Sequence, residues 1–390
     1  MLKACKIRLY PNEQQKHIIA TQIGSCRYIY NRMLALRINA YKKFGKSFGK
    51  FDLIKHATKL KQRNKTSWLK DVDSQALQQS ISNMDLAYKN FFRRVKEGSA
   101  VGFPKFKSKH QPRQSYQYPQ RVKLSEDNKK VFLPKVGWVK CKGFRDEFKG
   151  KIKTVTVSVE AYQHHASLLI DDGVSTIANN HNGQSLALDV GVKLIVADSN
   201  GNKVKPLELK RELHKLELRA KQLSNKKKGS KNRIKAKEKL AKIHLLIANK
   251  RKDFLHKLST KYSENQTIVI EDLKIKNMSK SAKGTIEKHG KNVKAKSGLN
   301  RVITQSSWGM FFDMLDYKLK QRGGELIKVN PQHTSQTCPI CKYVSKENRL
   351  TQSKFVCKKC SYTNNADVVG ALNILDRGIH GNNASHQIAS

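Results

Sequence analysis

Apolar and polar residues alternate along this chain in two rhythms, which separate strand-forming stretches from helical ones. Residues 3–9 alternate with a period of two and predict an opening strand, after which Asn12 is positioned to cap a helix. Apolar residues then recur at helical spacing and predict a helical module with helices at 13–43, 52–63 and 74–96. Residues 121–173 return to alternation, so with the opening strand they predict a small antiparallel barrel or sheet interrupted by the helical module.

The second half of the chain has the pattern of an α/β fold. An apolar run over 186–195 is interrupted by Asp189, and Asp-Ser-Asn-Gly then follows at 198–201, which predicts a β-hairpin. The next elements are expected to be a strand, a lysine-dense helical hairpin, a strand, an amphipathic helix and a strand, at 202–209, 210–262, 267–272, 308–322 and 324–330. This order is typical of an RNase H-like fold, in which a mixed sheet has helices on both faces.

The charge balance indicates a polyanionic partner. The 390 residues include 78 Lys and Arg against 30 Asp and Glu, which gives a formal net charge of +48 and a pI near 10.1. Such an excess repels itself unless a polyanion neutralises it, and nucleic acid is the natural candidate. An anionic membrane surface is the competing partner, but no apolar run approaches the length of a spanning helix and the N-terminus lacks a signal-peptide core. We therefore expect a soluble cytoplasmic protein without a membrane partner.

A basic and aromatic stretch begins in the last turns of the third predicted helix, continues beyond it and favours nucleic-acid binding. Arg93, Arg94, Lys105 and Lys107 are interleaved with aromatic residues, so cations could hold phosphates while rings stack on bases. The alternative is that the aromatic residues form core and the charges a solvated rim. The alternatives stay open for any single aromatic residue, and the stretch as a whole favours nucleic acid.

Four of the seven cysteines have the spacing of a zinc site. Cys338 and Cys341 form one Cys-x-x-Cys pair, and fifteen residues later Cys357 and Cys360 form a second. Two such knuckles turn four thiolates toward one tetrahedral ion, and four thiolates close its coordination shell, so we expect one structural zinc. Two disulfides are the weaker alternative in a cytoplasmic protein. The remaining cysteines are expected to be reduced core residues.

Three acids are candidates for a second metal site. Asp189 interrupts an apolar strand, and a buried, unpaired carboxylate costs several kcal/mol in rough terms, so it needs either a cationic partner or a metal. Glu271 ends the next buried strand, and Asp367 begins the last helix. Such a set could hold two magnesium ions about 4 Å apart, one activating water and the other stabilising the leaving oxygen of a phosphodiester. Asp272 is expected to point to the other face of its strand.

Several long motifs, in the correct order, resemble those of a known family. They are KIRLYPNEQQ, SCRYIYNRML, SQALQQSISNMDLAYKNFFRRVK, GFPKFKSKHQPRQSYQYP, LALDVGVKLIVADSNG, IVIEDLKIKNM, VNPQHTSQTCPIC and NNADVVGALNIL. Over nearly its whole length the chain resembles the TnpB family, RNA-guided nucleases of bacterial insertion sequences that are related to the type V CRISPR effectors. The resemblance makes Asp189, Glu271 and Asp367 the catalytic acids of a split RuvC nuclease domain.

The resemblance also implies a domain plan. The expected domains are a split wedge barrel over 1–10 and 120–175, a helical recognition lobe over 11–119, a split RuvC domain over 180–337 and 361–378, a zinc ribbon over 338–360 and a disordered tail over 379–390. The implied partners of the protein, expected to be a monomer, are a guide RNA derived from the transposon end and double-stranded target DNA beside a short transposon-adjacent motif. The polar residues Ser74, Gln75, Gln78 and Gln79 are candidates to read that motif, because glutamine can bond base edges.

The chain departs from the family pattern at four positions. Lys342 and Ser361 stand where the knuckles commonly carry glycine, so those turns are expected to be strained. Asn365 and Val369 replace usual neighbours of the last acid, which puts the rate in doubt more than the chemistry. A guide-directed DNA-binding protein without productive cleavage is the main alternative function, and a DNA-joining transposase is a weaker one. The presence of all three acids favours an RNA-guided endonuclease that acts in a bacterial or archaeal cytoplasm, close to the nucleoid.

Overall fold

The computed structural model describes residues 2–99, 102–144, 150–174, 179–285, 287–349, 351 and 353–381. These residues divide into two compact units: residues 1–175 with 223–242, and residues 176–222 with 243–390. No helix in the described part of the chain is long and apolar enough to cross a membrane.

The first unit contains an antiparallel sheet of seven strands. The strands are β1 (Leu2–Tyr10), β2 (Arg113–Tyr118), β3 (Lys123–Leu124), β4 (Lys130–Leu133), β5 (Gly137–Lys142), β6 (Lys151–Glu160) and β7 (Gln163–Asp171). Their order is β2-β6-β7-β1-β5-β4-β3, and no hydrogen-bonded pair joins β2 to β3 among the residues described. The sequence predicts either a barrel or a sheet, and the strand pairing is that of an open sheet. Residues 113–118, which the expected domain plan includes in the helical lobe, form its edge strand.

Among the described residues between β1 and β2, three α-helices form where the apolar spacing predicts them, with a 3-10 helix (Asn64–Asp71) before the third. They are α1 (Glu13–Phe44), α2 (Lys50–Gln62) and α3 (Ser74–Lys96). The capping role of Asn12 is confirmed, because its Oδ1 accepts from the Gln15 N–H at 2.8 Å and the Gln15 side chain accepts from the Asn12 N–H at 3.1 Å. Helix α3 buries Leu77, Ile81 and Met84 along one face, in the same apolar core as the sheet.

The second unit is built on a mixed sheet of five strands. The strands are β8 (Ser185–Asp189), β9 (Val196–Asp198), β10 (Lys203–Val204), β11 (Thr267–Glu271) and β12 (Glu325–Val329). Their order is β10-β9-β8-β11-β12, with β8, β11 and β12 parallel and the hairpin strands antiparallel. The accompanying helices are α4 (Lys210–Ser224), α5 (Lys231–Tyr262), α6 (Ile275–Met278), α7 (Val293–Ser306), α8 (Trp308–Gln321) and α9 (Ala366–His380). The pattern does not predict α6 and α7.

Successive residues of the central strands face different helices. In β11, Ile268 and Ile270 lie in one apolar cluster with Phe311 and Leu315 of α8. Val269 between them lies in a second cluster with Ile374 of α9. Because side chains alternate across a strand, α8 and α9 cover opposite faces of the sheet.

The cysteine segment lies between β12 and α9. Its two short strands, β13 (Lys354–Val356) and β14 (Thr363–Asn365), pair in antiparallel orientation and lead directly into α9. Phe355 is fully buried there with Cys338, Cys357 and Val369. The predicted start of the disordered tail at residue 379 is too early, because residues 379 and 380 belong to α9. Residues 382–390 lie outside those described.

Candidate functional site: a four-cysteine centre and an acidic cluster

The four predicted cysteines converge on one point. Their sulfurs all lie within 4.8 Å of one another, with Cys338 to Cys360 at 3.6 Å and Cys341 to Cys357 at 3.5 Å. A disulfide needs about 2.05 Å between sulfurs, whereas Zn–S bonds of about 2.3 Å place tetrahedral sulfurs about 3.8 Å apart. The arrangement could therefore hold a zinc ion, and it does not fit the disulfide alternative. Cys5, Cys26 and Cys141 are buried, reduced thiols, as expected.

Backbone N–H groups prepare the second knuckle for a cation. The Cys357 sulfur accepts from the N–H groups of Lys359 at 3.4 Å and Cys360 at 3.5 Å. Burial opposes ionisation of the Cys357 thiol, but these donors and the neighbouring thiols outweigh it and lower its pKa to about 6. A thiolate is thus favoured at neutral pH, which is the form that binds zinc.

Each knuckle turn ends on a residue in the left-handed backbone region. Lys342 has φ 59° and Ser361 has φ 58°, and each donates its N–H to the carbonyl of the first cysteine of its pair, at 3.0 Å in both turns. Glycine adopts this conformation without steric cost, whereas a residue with a Cβ pays a steric cost for it. The expected strain at these two positions is confirmed by the backbone angles.

The three predicted acids are brought to one edge of the five-stranded sheet. Asp189 ends β8, Glu271 ends the adjacent parallel strand β11, and Asp367 lies in the first turn of α9, which packs on the same strands. Leu188 pairs with Ile270, so the two strand-end carboxylates follow directly on paired residues. Asn365 caps α9 by accepting from the N–H of Asp367 at 3.1 Å, which fixes the helix start beside the strands.

The charges of both other acids affect the pKa of Asp189. Loss of water, and after it the neighbouring charges of Glu271 and Asp367, together raise the pKa of its carboxyl to about 7. Burial also raises the pKa of Glu271, against the opposing effects of a hydrogen bond from Thr334 and the charge of Arg377. Crowded, desolvated carboxylates of this kind are stabilised by a cation.

The cationic neighbours of the cluster are arginines. Arg349 Nη2 lies 3.6 Å from Asp367 Oδ1, and the charge of Arg349 also lowers the pKa of Asp189. Arg377 donates from Nη1 to the Asn330 carbonyl at 2.7 Å. Asp272 is separate from the cluster, as expected, and pairs with Lys274 instead.

The carboxylate donors of the acidic cluster fit magnesium, although their oxygens do not surround a common point in this structure. Carboxylate oxygens are the hard ligands that Mg²⁺ prefers, and Gly370 leaves the side of Asp189 open, because a Cβ there would lie 2.8 Å from Asp189 Oδ2. Within the described residues, however, the four cysteines are the one set of His, Cys, Asp or Glu with ligand atoms close enough to surround an ion. The three acids are neighbours without forming such a set.

The candidate motif-reading residues lie along the start of α3. Ser74 and Gln78 are exposed, and Gln75 and Gln79 are half-buried. Their polar atoms are partly engaged: Ser74 accepts from Lys61 Nζ at 2.6 Å, Gln75 from Arg121 Nε at 3.2 Å, and Gln79 donates to Asn83 at 3.0 Å. The four residues thus share one helix segment with basic neighbours.

The candidate phosphate-binding cations divide into two groups. Arg93, Arg94 and Lys105 are exposed, and Arg93 pairs with Glu97 at 3.2 Å. Lys107 is half-buried instead, with its Nζ 4.2 Å from the Tyr30 ring centroid, and its backbone exchanges two hydrogen bonds with the Asn31 side chain. Burial lowers the pKa of Lys107. Its contacts are those of a residue that fastens the loop to α1.

Sequence reasoning missed three residues beside the acids: Thr334, Arg349 and Gly370. Thr334 Oγ1 donates to Glu271 Oε1 at 2.6 Å across 63 positions of sequence. Its place between the acid of β11 and the first knuckle, in the motif VNPQHTSQTCPIC, is the one signal that could have indicated it. Gly370 likewise lies in the motif NNADVVGALNIL, whereas nothing in the local pattern distinguishes Arg349 from its neighbours.

The structure has a Cas12-like fold. The structure aligns with the cryo-EM structure of a Cas12f1–sgRNA–target DNA complex over 96% of this chain and 98% of that one, with a TM-score of 0.53 and 15% identity. Residues 308–374 match the family model described as "Cas12f1-like, TNB domain", residues 157–282 match "Probable transposase" of the IS605 OrfB type, and residues 1–46 match its "Helix-turn-helix domain".

Similarity to whole proteins then defines the family. The chain is 41% identical to "Putative RNA-guided DNA endonuclease InsQ" of Escherichia coli (strain K12), over 97% of this chain and 92% of that protein. It is 30% identical to "Putative RNA-guided DNA endonuclease" of Streptomyces pristinaespiralis, over 97% and 89%. The chain belongs to the TnpB family of RNA-guided DNA endonucleases associated with IS605-type transposons, and the resemblance inferred from sequence is confirmed.

Proposed function

We propose that the acidic cluster cleaves target DNA by magnesium-dependent phosphodiester hydrolysis, with Asp189, Glu271 and Asp367 as the catalytic acids of a split RuvC domain. The observation that carries the proposal is Asp189, a desolvated carboxyl with a pKa of about 7 that is affected by Glu271 at the end of the adjacent parallel strand and by Asp367 at the start of α9. This arrangement is costly unless a cation compensates it. Two bound magnesium ions would supply an activated water and stabilise the leaving oxygen.

The surrounding residues support this role. Glu271 is oriented by the Thr334 hydroxyl, and Arg349 neutralises part of the charge near Asp367 and is placed to stabilise phosphate charge. Asp367 lies on a helix that begins directly after the cysteine segment, so a structural zinc held by the four cysteines fixes the start of that helix.

The partners follow from charge and from the relatives. A net charge of +48 suits a protein that holds a guide RNA and double-stranded target DNA together, and the similar solved structure is a complex with sgRNA and target DNA. We assign the seven-stranded sheet to the wedge and helices α1–α3 to the recognition lobe of a monomeric enzyme. Ser74, Gln75, Gln78 and Gln79 would read the transposon-adjacent motif, with Arg93, Arg94 and Lys105 on phosphates. DNA as substrate places the enzyme in the cytoplasm of a bacterium or archaeon, beside the nucleoid.

Cleavage of a plasmid is the direct test. Purified protein with its copurified guide RNA, in Mg²⁺, should cut a plasmid that carries the guide-matched sequence beside the motif, and Asp189→Asn should lower the rate at least 10³-fold on the scale of lost catalytic groups. Asp272→Asn is the matched control, because Asp272 directly follows Glu271 in sequence but forms its ion pair with Lys274, outside the cluster. Persistent cutting by Asp189→Asn, or equal loss in Asp272→Asn, would contradict the assignment.

A guide-directed DNA-binding protein without productive cleavage is the second candidate. The feature that favours it is that the three acids do not yet surround one point in this structure. It predicts that Asp189→Asn binds target DNA and guide as tightly as the wild type and that neither protein cuts in Mg²⁺ or Mn²⁺. Gel-shift binding measured beside cleavage on the same DNA separates the two functions.

A further inference from the structure

Thr334 lies between the acid Glu271 and the four-cysteine centre. It is 5% exposed, and its hydroxyl donates to Glu271 Oε1 at 2.6 Å, while the Pro331 carbonyl is a second acceptor at the longer distance of 3.1 Å. A hydroxyl has one hydrogen to donate, and a bond to an ionised oxygen is the stronger of the two. The hydroxyl is therefore committed to Glu271 whenever that carboxyl is ionised.

The backbone around Thr334 is held by a residue of α9. Asn373 is 4% exposed, and its side-chain amide donates to the carbonyls of Thr334 at 2.8 Å and Thr337 at 2.7 Å. Both amide hydrogens are thus used on the turn that leads into Cys338. Asn373 lies six residues after Asp367 on the same helix. One buried chain of hydrogen bonds therefore connects Glu271, the turn before the first knuckle and the helix that carries Asp367.

We propose that Thr334 is a positioning residue for Glu271, and that Asn373 makes its position depend on the cysteine centre and α9. This inference rests on the proposed catalytic role of Glu271. The Thr334 hydroxyl selects one orientation of the Glu271 carboxylate and leaves its second oxygen for a metal ion. Removal of such a partner of a ligand typically costs 10–100-fold in metal affinity or activity. A residue that only filled the core would instead affect stability, whatever the metal concentration.

Two substitutions at Thr334 separate these roles. Thr334→Val keeps the shape and removes the hydroxyl, and Thr334→Ser keeps the hydroxyl and removes a methyl group. With guide RNA bound, we expect Thr334→Val to raise the Mg²⁺ concentration for half-maximal cleavage about tenfold or more, and Thr334→Ser to stay within about threefold of wild type. Thr304→Val is the matched control, because that exposed hydroxyl bonds only the carbonyl of Asn300 in its own helix.

A binding measurement without catalysis completes the test. Calorimetric titration of Mn²⁺ into the guide-bound protein should show weaker binding for Thr334→Val, with unchanged zinc content and guide affinity. In a Glu271→Gln background, Thr334→Val should change Mn²⁺ affinity less than twofold, because the group it positions is already lost. An equal effect in both backgrounds, an unchanged metal dependence in Thr334→Val, or a Thr334→Ser protein as impaired as Thr334→Val would overturn the proposal.

The link through Asn373 is tested by its coupling to Thr334. Asn373→Ala should weaken Mn²⁺ binding in the wild-type protein and add little to Thr334→Val, whereas additive effects would show that Asn373 acts independently. If Glu271→Gln itself cleaves DNA at the wild-type rate and binds Mn²⁺ unchanged, the proposed function of the acids is wrong. If Glu271→Gln is inactive while Thr334→Val shows normal metal dependence, only the positioning role is wrong.

Discussion

The cysteine centre and the acidic cluster are assembled in opposite ways. Four cysteines from two short turns lie within 4.8 Å of one another, and backbone N–H groups already favour the thiolate of Cys357. The three acids come from positions 189, 271 and 367, and their mutual repulsion helps to raise the pKa of Asp189 to about 7. Local turns thus prepare one centre for its ion, whereas distant elements meet at the other and depend on a cation to stay ionised. We expect the first to be structural and the second to respond to its metal.

The largest expected effect on DNA cleavage comes from loss of the cysteine centre. Cys360→Ser should abolish zinc binding and lower DNA cleavage below about 1% of wild type, because structural zinc supplies about 10 kcal/mol or more of folding free energy to such segments. The segment it orders leads directly into the helix of Asp367. Zinc content by atomic absorption and plasmid cleavage measure the two consequences.

Cys360→His is the matched control, because three cysteines and one histidine also hold zinc and Cys360 is the exposed member of the set. It should retain zinc and a substantial part of the activity. Full cleavage by a zinc-free Cys360→Ser protein would show that the two centres are independent.

The contrast also explains what sequence could predict. Spacing alone identified the cysteine set, since all four ligands lie within 23 residues, and the caps and apolar spacing predicted α1 and α3 within one or two residues. The acids could be nominated from strand ends and family motifs. Their closeness depends on the parallel pairing of β8 with β11 and on the packing of α9, which are long-range facts. Thr334, Arg349 and Gly370 act through such tertiary contacts, so no local pattern indicates them.

A second test places an atom beside the acidic cluster. Gly370→Ala should lower the cleavage rate about 10–100-fold, because the new Cβ would lie 2.8 Å from Asp189 Oδ2 and would displace the carboxylate. The four cysteines are unaffected, so zinc content should stay at one ion per chain. Single-turnover cleavage at saturating guide and target is the measurement.

Gly298→Ala in α7 is the matched control, because nothing lies within 4 Å of its Cβ position, and alanine is the better helix former. It should leave cleavage unchanged and raise the thermal midpoint slightly. A Gly370→Ala enzyme as active as Gly298→Ala would mean that the position of Asp189 is not critical.

The acidic cluster should compete with protons for its metal near neutral pH. The pKa of Asp189 is raised from its ordinary 3.8 to about 7, so between these values the metal-free folded protein holds a proton that the unfolded chain has released. The stabilisation of the folded protein that comes from protonated Asp189 is therefore fully present below about pH 4 and is lost as pH rises through 7. Below pH 7, the Mg²⁺ concentration for half-maximal cleavage should rise up to about tenfold per pH unit.

Two measurements check the sign. Without metal, wild type should lose thermal stability relative to Asp189→Asn between pH 5 and 8, and added Mg²⁺ should reduce that loss above pH 7. Cleavage titrated with Mg²⁺ at each pH gives the half-saturation values. A half-saturation concentration that stays constant from pH 5.5 to 8 would rule out Asp189 as the titrating ligand.

The smallest effect is expected in the knuckle turns, where the preparation of the zinc site is imperfect. Ser361→Gly should stabilise the zinc-bound protein by about 0.5 kcal/mol, because left-handed strain of about 1–2 kcal/mol is removed while the greater entropy of glycine in the unfolded chain offsets part of it. Lys342→Gly should gain less, since it also removes the ion pair of Lys342 Nζ with Asp376 Oδ2 at 2.8 Å. Ser361→Ala retains the strain and is the control, so the rate of zinc release to a chelator should fall most in Ser361→Gly, less in Lys342→Gly and not in Ser361→Ala. An equal rate in all three variants would mean that these turns cost nothing in the folded protein, and that the cysteine centre is as fully prepared for its ion as glycine turns would make it.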